Sequence, residues 1–184
     1  LGDVYKRQAF ISTILSYLLI FVGGLVRVSG SGLGCPDWPK CFGYLIPPTE
    51  RSQLDWQPNK NYEKGNVIIL DNTLQVAIQT FESGDTINLK NWEVYTKHDY
   101  TTFNATHTWV EFINRLLGAI SGLIVLGLFI RSLWWIRKQA LLSLFSFFAV
   151  VGMGVQAWLG KTVVDSNLLP SKISLHMIMA LLIV

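Results

Sequence analysis

The sequence predicts an all-α membrane protein, a four-transmembrane-helix bundle, and three observations carry that prediction. Charge is scarce: of 184 residues, 51% are hydrophobic and only 15% charged, where a soluble domain carries about a quarter. The apolar residues are blocked rather than scattered. Ala9 to Val26 is one uncharged run, Val110 to Ile130 carries only Glu111 and Arg115 near its start, Ala140 to Gly160 is uncharged, and Ile173 to Val184 begins a fourth run. A bilayer core takes roughly 20 apolar residues in helical form. The third observation is that the basic residues alternate between the runs as a membrane topology requires.

The elements follow in order. Residues 1–8 lack an initiating Met and any pattern, and are expected to be a non-native or disordered start, kept out of fold reasoning. The first span is placed at 9–27. Lys6 and Arg7 before an apolar run also fit a signal peptide, but the run is long for one and no small-residue cleavage site follows. An outer segment occupies 28–109, the second span 110–130, a link 131–139, the third span 140–160, a second outer loop 161–172, and a fourth span 173–184. The fourth run stops within its apolar pattern. A helix ending in hydrocarbon leaves carbonyls without partners, so the chain is expected to continue past Val184. Arg131, Arg137 and Lys138 fill the link. With Lys6 and Arg7 they place the N-terminus and the link in the cytoplasm and the cysteine-bearing loop outside. The net charge of +3 is explained by topology and implies no nucleic-acid partner; the surrounding partner is lipid.

The outer segment opens with SGSGLGCPDWPKCFGYLIPP, rich in Gly and Pro and read as an ordered, turn-rich loop. From Thr49 to Thr106 it is more polar. Leu70, Leu74, Ala77, Ile78 and Phe81 recur there at helical spacing. Two readings stand: an amphipathic helix on the membrane face, or a small packed cap. Asn104-Ala105-Thr106 matches a glycosylation triplet that chance often produces. A faint repeat runs through the chain. Each pair of spans goes out through glycine (Gly23 and Gly24; Gly160) and re-enters with a polar group (Glu111 and Asn114; His176). Polar groups converging in a bundle make an internal site, and bundles bind flat cofactors between facing helices.

Cys35 and Cys41 are the only cysteines, on the side where disulfides persist. They read as a structural or a redox-active disulfide; two cysteines alone do not make a metal site. Glu111 is ionisable at a membrane boundary, which marks it as functional, or it pairs with Arg115 one turn later. Asn114, Gly118 and Gly122 share a neighbouring stripe, either for helix packing or to leave room for a macrocycle. His176 is the one histidine inside a predicted span. Imidazole is the usual ligand of haem iron in helical bundles; a core histidine bonded to a carbonyl or side chain is the other reading. His107, beside Trp109, reads as interfacial and His98 as solvated. Trp38, Trp109, Trp134, Trp135 and Trp158 fall where aromatic belts form.

Taken together, three stretches resemble the bacterial haem A synthases. GGLVRVSGSGLGCPDWPKCFGYLIPP resembles their first span and outer loop, in the class with a cysteine pair. HTWVEFINRLLG resembles the start of their second span, and VQAWLGKTVVDSNLLPSKISLHMIMALL their third span, loop and fourth span. The resemblance implies an eight-helix, pseudo-symmetric protein of two four-helix halves, with this chain the first. It implies oxidation of the ring-position-8 methyl of haem O to a formyl group, giving haem A for cytochrome oxidase. It makes Glu111 the catalytic acid residue, His176 a haem-iron ligand, Asn114, Arg115 and Gly118 neighbours of the cofactor, and Cys35–Cys41 a disulfide. It puts a resident haem b in the second half, with haem O as substrate. It further implies haem O synthase and cytochrome oxidase as partners, a quinone as electron acceptor, and the inner cell membrane as location. This half alone is expected to be inactive. Glu111, Asn114 and His176 are expected to gather round a cavity near the outer face. Asn114 departs from the family pattern, which has a second ligand histidine there. An amide is a poor iron ligand, so His176 binds alone, His107 swings in, or the sixth position stays open. The insert from Thr49 to Thr106 is longer than in many members. Asn114 favours a second class, a non-catalytic haem-binding assembly factor; the cysteines suggest a third, a membrane thiol-redox protein.

Overall fold

The computed structural model describes residues 2–96 and 102–184; His98 lies outside them. Among the described residues there are four α-helices: α1 (Gly2–Val28), α2 (Ala105–Leu133), α3 (Ala140–Asp165) and α4 (Pro170–Ile183). The first three are long and apolar enough to cross a membrane, and α4 is a shorter apolar helix. Local chemistry sets their ends. Asn104 Oδ1 accepts from the His107 N–H at 3.2 Å in the first turn of α2, so the Asn of the glycosylation triplet serves as a helix cap. Pro170 opens α4, where its missing N–H is harmless. Beyond α1, Gly30 has φ of 70°, a left-handed turn that glycine makes without a Cβ penalty. The chain divides into a helical unit (2–28, 113–163 and 169–184) and a second unit (29–112 and 164–168), called the outer unit after the side on which the sequence reading expects it.

The helical unit is turned inside out relative to a soluble bundle. Phe10, Phe21, Leu123, Phe145 and Leu182 face outward, while Ser121, Ser132, Ser143 and Ser146 are buried. In lipid no hydrophobic force drives helices together, so small and polar residues form their contacts. Tyr5 of α1 and Ser146 of α3 share a hydrogen bond of 2.8 Å. Ser143 Oγ of α3 donates to the Ser132 carbonyl of α2 at 2.8 Å. Arg27 of α1 reaches Met177 of α4.

The outer unit contains strands, which the all-α expectation did not include. They are β1 (Asn61–Tyr62), β2 (Val67–Leu70), β3 (Thr73–Ala77), β4 (Phe81–Glu82) and β5 (Trp92–Val94). An antiparallel β2-β3-β5 sheet lies beside a β1-β4 pair. The amphipathic-helix reading of Leu70 to Phe81 is therefore overturned in favour of the packed cap. Asp71 and Asn72 both take positive φ, the hairpin geometry these residue types tolerate, and β-branched VIIL precedes them. Side chains alternate across the sheet. Val67, Ile69 and Leu74 pack with Cys35, Cys41, Phe42 and Leu54, while Ile68 and Ala77 pack with Tyr62 and Trp92 on the other face.

Candidate functional site

In the outer unit Cys35 and Cys41 form a disulfide with Cα atoms 4.8 Å apart, within the reach such a bond needs. The loop between them is fastened from inside. The Asp37 carboxylate accepts from the Phe42 and Gly43 N–H groups at 2.6 and 2.8 Å, and the Tyr95 hydroxyl donates to the Pro36 carbonyl at 2.6 Å. Gly43 has φ of +78°, and a Cβ there would lie 2.1 Å from the Gly65 carbonyl oxygen.

The beginning of α2 then clasps this loop. Thr108 Oγ1 donates to the Gly34 carbonyl at 2.8 Å, and Glu111 Oε2 accepts from the Cys35 N–H at 2.9 Å. Thr108 and Glu111 are one turn apart and so share a helix face. Gly34 makes the approach possible, because a Cβ there would lie 2.4 Å from the His107 carbonyl oxygen. Glu111 is only 4% exposed, and its carboxylate makes a charge-assisted bond to backbone. Sequence reasoning missed Thr108; the one signal for it is its spacing from Glu111. Cys35 and Cys41 are 0% and 1% exposed. Thiol exchange needs access to a sulfur, so this burial opposes the thiol-redox reading.

Asn114, Arg115, Gly118 and His176 belong to the helical unit. Gly118 packs toward Leu19, and Asn114 Oδ1 lies near Gly23. On α4, His176 is partly buried. Gln156 of α3 donates through Nε2 to the His176 carbonyl at 3.1 Å, and the same nitrogen is 3.5 Å from His176 Nε2. Gly160 lies against the ring; a Cβ there would be 3.3 Å from His176 Cε1. Sequence reasoning also missed Gln156, although a lone amide in an apolar run is a polar group inside a span and a signal in itself.

Among the described residues of this unit, three side-chain atoms are buried with no hydrogen-bond partner: Asn114 Oδ1, Gln156 Oε1 and His176 Nδ1. An unsatisfied buried polar atom costs roughly 1–3 kcal/mol, and such groups call for an explanation, an absent ligand among them. Among the described residues no group of three His, Cys, Asp or Glu gathers to hold a bare metal ion. Haem iron asks less of the protein, because the macrocycle supplies most of its ligands and an axial imidazole completes the set. An imidazole with an unpartnered nitrogen, set against a glycine and beside the Gln156 amide with its spare acceptor, fits that requirement.

A family profile described as cytochrome oxidase assembly protein matches residues 6–82 and 85–184. The chain belongs to this family, that of the haem A synthases. It is similar to the heme A synthase of Rickettsia prowazekii (strain Madrid E), 27% identical over 191 aligned positions that cover 98% of this chain and 48% of that protein. The heme A synthase of Methylorubrum populi is 26% identical over 187 positions, covering 97% of this chain and 42% of its own. A shorter stretch of 44 residues, 24% of this chain and 13% of the relative, is 43% identical to the heme A synthase of Shewanella oneidensis. The chain thus spans less than half the length of these relatives. No solved structure matches it. Family and apolar helices together make it a membrane protein.

Proposed function

We propose that this chain is the first half of a haem A synthase, which oxidises the ring-position-8 methyl of haem O to a formyl group for cytochrome oxidase. The observation that carries the reading is His176: an imidazole in an apolar helix, with a buried unpartnered nitrogen, in a chain matching the family along nearly its whole length. In this reading the four helices are one half of an eight-helix protein of the inner membrane. The N-terminus is cytoplasmic, the disulfide cap is outside, and a resident haem b sits in the other half. Asn114 and His176 line the substrate site within the helical unit, and Glu111 is the catalytic acidic residue. Haem O synthase supplies the substrate, cytochrome oxidase takes the product, and a quinone accepts electrons.

The haem group supplies iron and redox capacity; this chain's residues position and deprotonate. His176 would hold the iron of a bound haem. The amides of Asn114 and Gln156 would offer it hydrogen-bonding groups. Gly118 and Gly160 keep space beside a flat ligand, as side chains there would fill it. Turning a methyl into a formyl group takes its oxygen from water and releases protons and electrons in successive steps, the electrons passing to the quinone. In this reading Glu111, its Oε2 anchored by the Cys35 N–H, accepts the protons as a general base. A carboxylate in a poorly screened site also stabilises positive charge developing on the substrate. Arg115 sets a cation one turn along the helix from it.

The test is expression of the complete protein with a source of haem O, followed by chromatography of the extracted haems. Appearance of haem A supports the reading. A bound-haem absorption band with haem O left unconverted supports the assembly-factor reading, which Asn114 favours. No haem band at all defeats both.

A further inference from the structure

A cleft of about 400 Å³ opens in the outer unit, walled by Tyr44, Ile46, Pro47, Pro48 and Trp109, with Lys60 the cation among its lining residues. The proposed chemistry makes no use of it. The chain beside it is conspicuously apolar: Leu45 is 76% and Ile46 72% exposed. This projection is held in place, since Tyr44 pairs with Cys41 in a β-bridge next to the disulfide. Lys60 lies over the Tyr62 ring, 5.3 Å from its centroid. Among the described residues no carboxylate pairs with it.

Trp109 says what meets this surface. It belongs to α2, a helix long and apolar enough to cross a membrane, and it immediately precedes the span expected at 110–130. Tryptophan in that position sits at headgroup level. The cleft therefore has one wall, Trp109, at the end of a helix of membrane-spanning length. Apolar walls with one cation match a molecule with a hydrocarbon chain and an anionic head, and basic side chains near a membrane attract such lipids. We infer that the cleft seats an anionic phospholipid of the outer leaflet, its acyl chain against Ile46, Pro47 and Trp109 and its phosphate at Lys60. The Leu45–Ile46 projection enters the bilayer beside it and moors the cap.

The test uses the complete protein in nanodiscs of phosphatidylglycerol and phosphatidylcholine. A nitroxide is attached at Ile46→Cys and, as control, at Leu89→Cys, a cap residue 61% exposed. The native cysteines are too buried to label. The Ile46 label should collide with oxygen more than with a water-soluble nickel complex, and the Leu89 label the reverse. In unlabelled protein, Lys60→Gln should lower the ratio of phosphatidylglycerol to phosphatidylcholine retained in native mass spectrometry about five-fold, the effect of one basic residue at a membrane surface. The inference is overturned if the Ile46 label behaves like the Leu89 label, or if it is shielded from both reagents, as a protein partner would make it. It is equally overturned if Lys60→Gln leaves the lipid ratio unchanged.

Discussion

Glu111→Gln separates two roles that the structure superimposes on one carboxylate. Glu111 is 4% exposed and accepts the Cys35 N–H at 2.9 Å, so it fastens the disulfide loop whatever else it does. Glutamine keeps the length and an acceptor oxygen but turns a charge-assisted hydrogen bond into a neutral one. The two kinds differ by about 1 kcal/mol in net worth. For a chain of this size that lowers the melting temperature by about 2–4 °C. Glu111→Ala is harsher: it strands the Cys35 N–H and opens a cavity, together about 3 kcal/mol or more. Chemistry follows a different scale, because loss of a general base removes about a hundred-fold or more of rate. The assay is three measurements on the complete protein: thermal unfolding, bound haem by absorbance, and haem A formed per bound haem. The expected Gln variant is nearly as stable, holds its haem and accumulates haem O or a hydroxylated intermediate. If product per bound haem stays at the wild-type value, the proton-accepting role is refuted and Glu111 is a clasp alone.

Gly34→Ala drives a Cβ to 2.4 Å from the His107 carbonyl oxygen. Backbone must move, at a cost of about 3 kcal/mol or more, and the Cys35–Cys41 bond should become rapidly reducible by dithiothreitol. Gly160→Ala places a Cβ 3.3 Å from the His176 ring, whereas nothing lies within 4 Å of a Cβ at Gly154. The first should therefore alter haem content or the haem absorption spectrum, and Gly154→Ala should not. Burial raises the phenol pKa of Tyr44 and Tyr62 above the ordinary 10.0. The unfolded chain gives up these protons first, so their contribution to cap stability is whole below that value and is lost as pH rises through the folded pKa. Near-UV circular dichroism followed from about pH 8 to about pH 12 should show the cap weakening only in the upper part of that range.

The helices were legible because hydrocarbon allows little else: an uncharged run of that length must satisfy its backbone internally. The cap was only half legible. Leu70, Leu74, Ala77, Ile78 and Phe81 mimic a helical stripe, yet Leu70 ends β2, Leu74 and Ala77 lie in β3, and Phe81 opens β4. With a tight turn between short strands, spacing along the chain no longer measures position on one face. The better guides were the β-branched VIIL and the Asp71–Asn72 pair that follows. The two cysteines left one pairing available, and it is made. The bond of Glu111 to the Cys35 N–H was not legible, since that donor is a backbone group and leaves no mark in residue identity. Gln156 was legible in kind, but its position against His176 depends on how α3 and α4 face one another. Which face each helix buries is weakly written where apolar residues lie all round it.

The clasp on the disulfide loop has a consequence for how the protein is made. Residues 35 and 41 leave the ribosome well before the α2 turn that covers them: Glu111 follows Cys35 by 76 positions. At translation rates of about 5–20 residues per second, that interval lasts roughly 4–15 s. During it the thiols lie open on a nascent segment. Afterwards they are 0% and 1% exposed and closed to any oxidase or reductase. A chain whose thiols are still open when α2 closes over them must undo the clasp before the bond can be made.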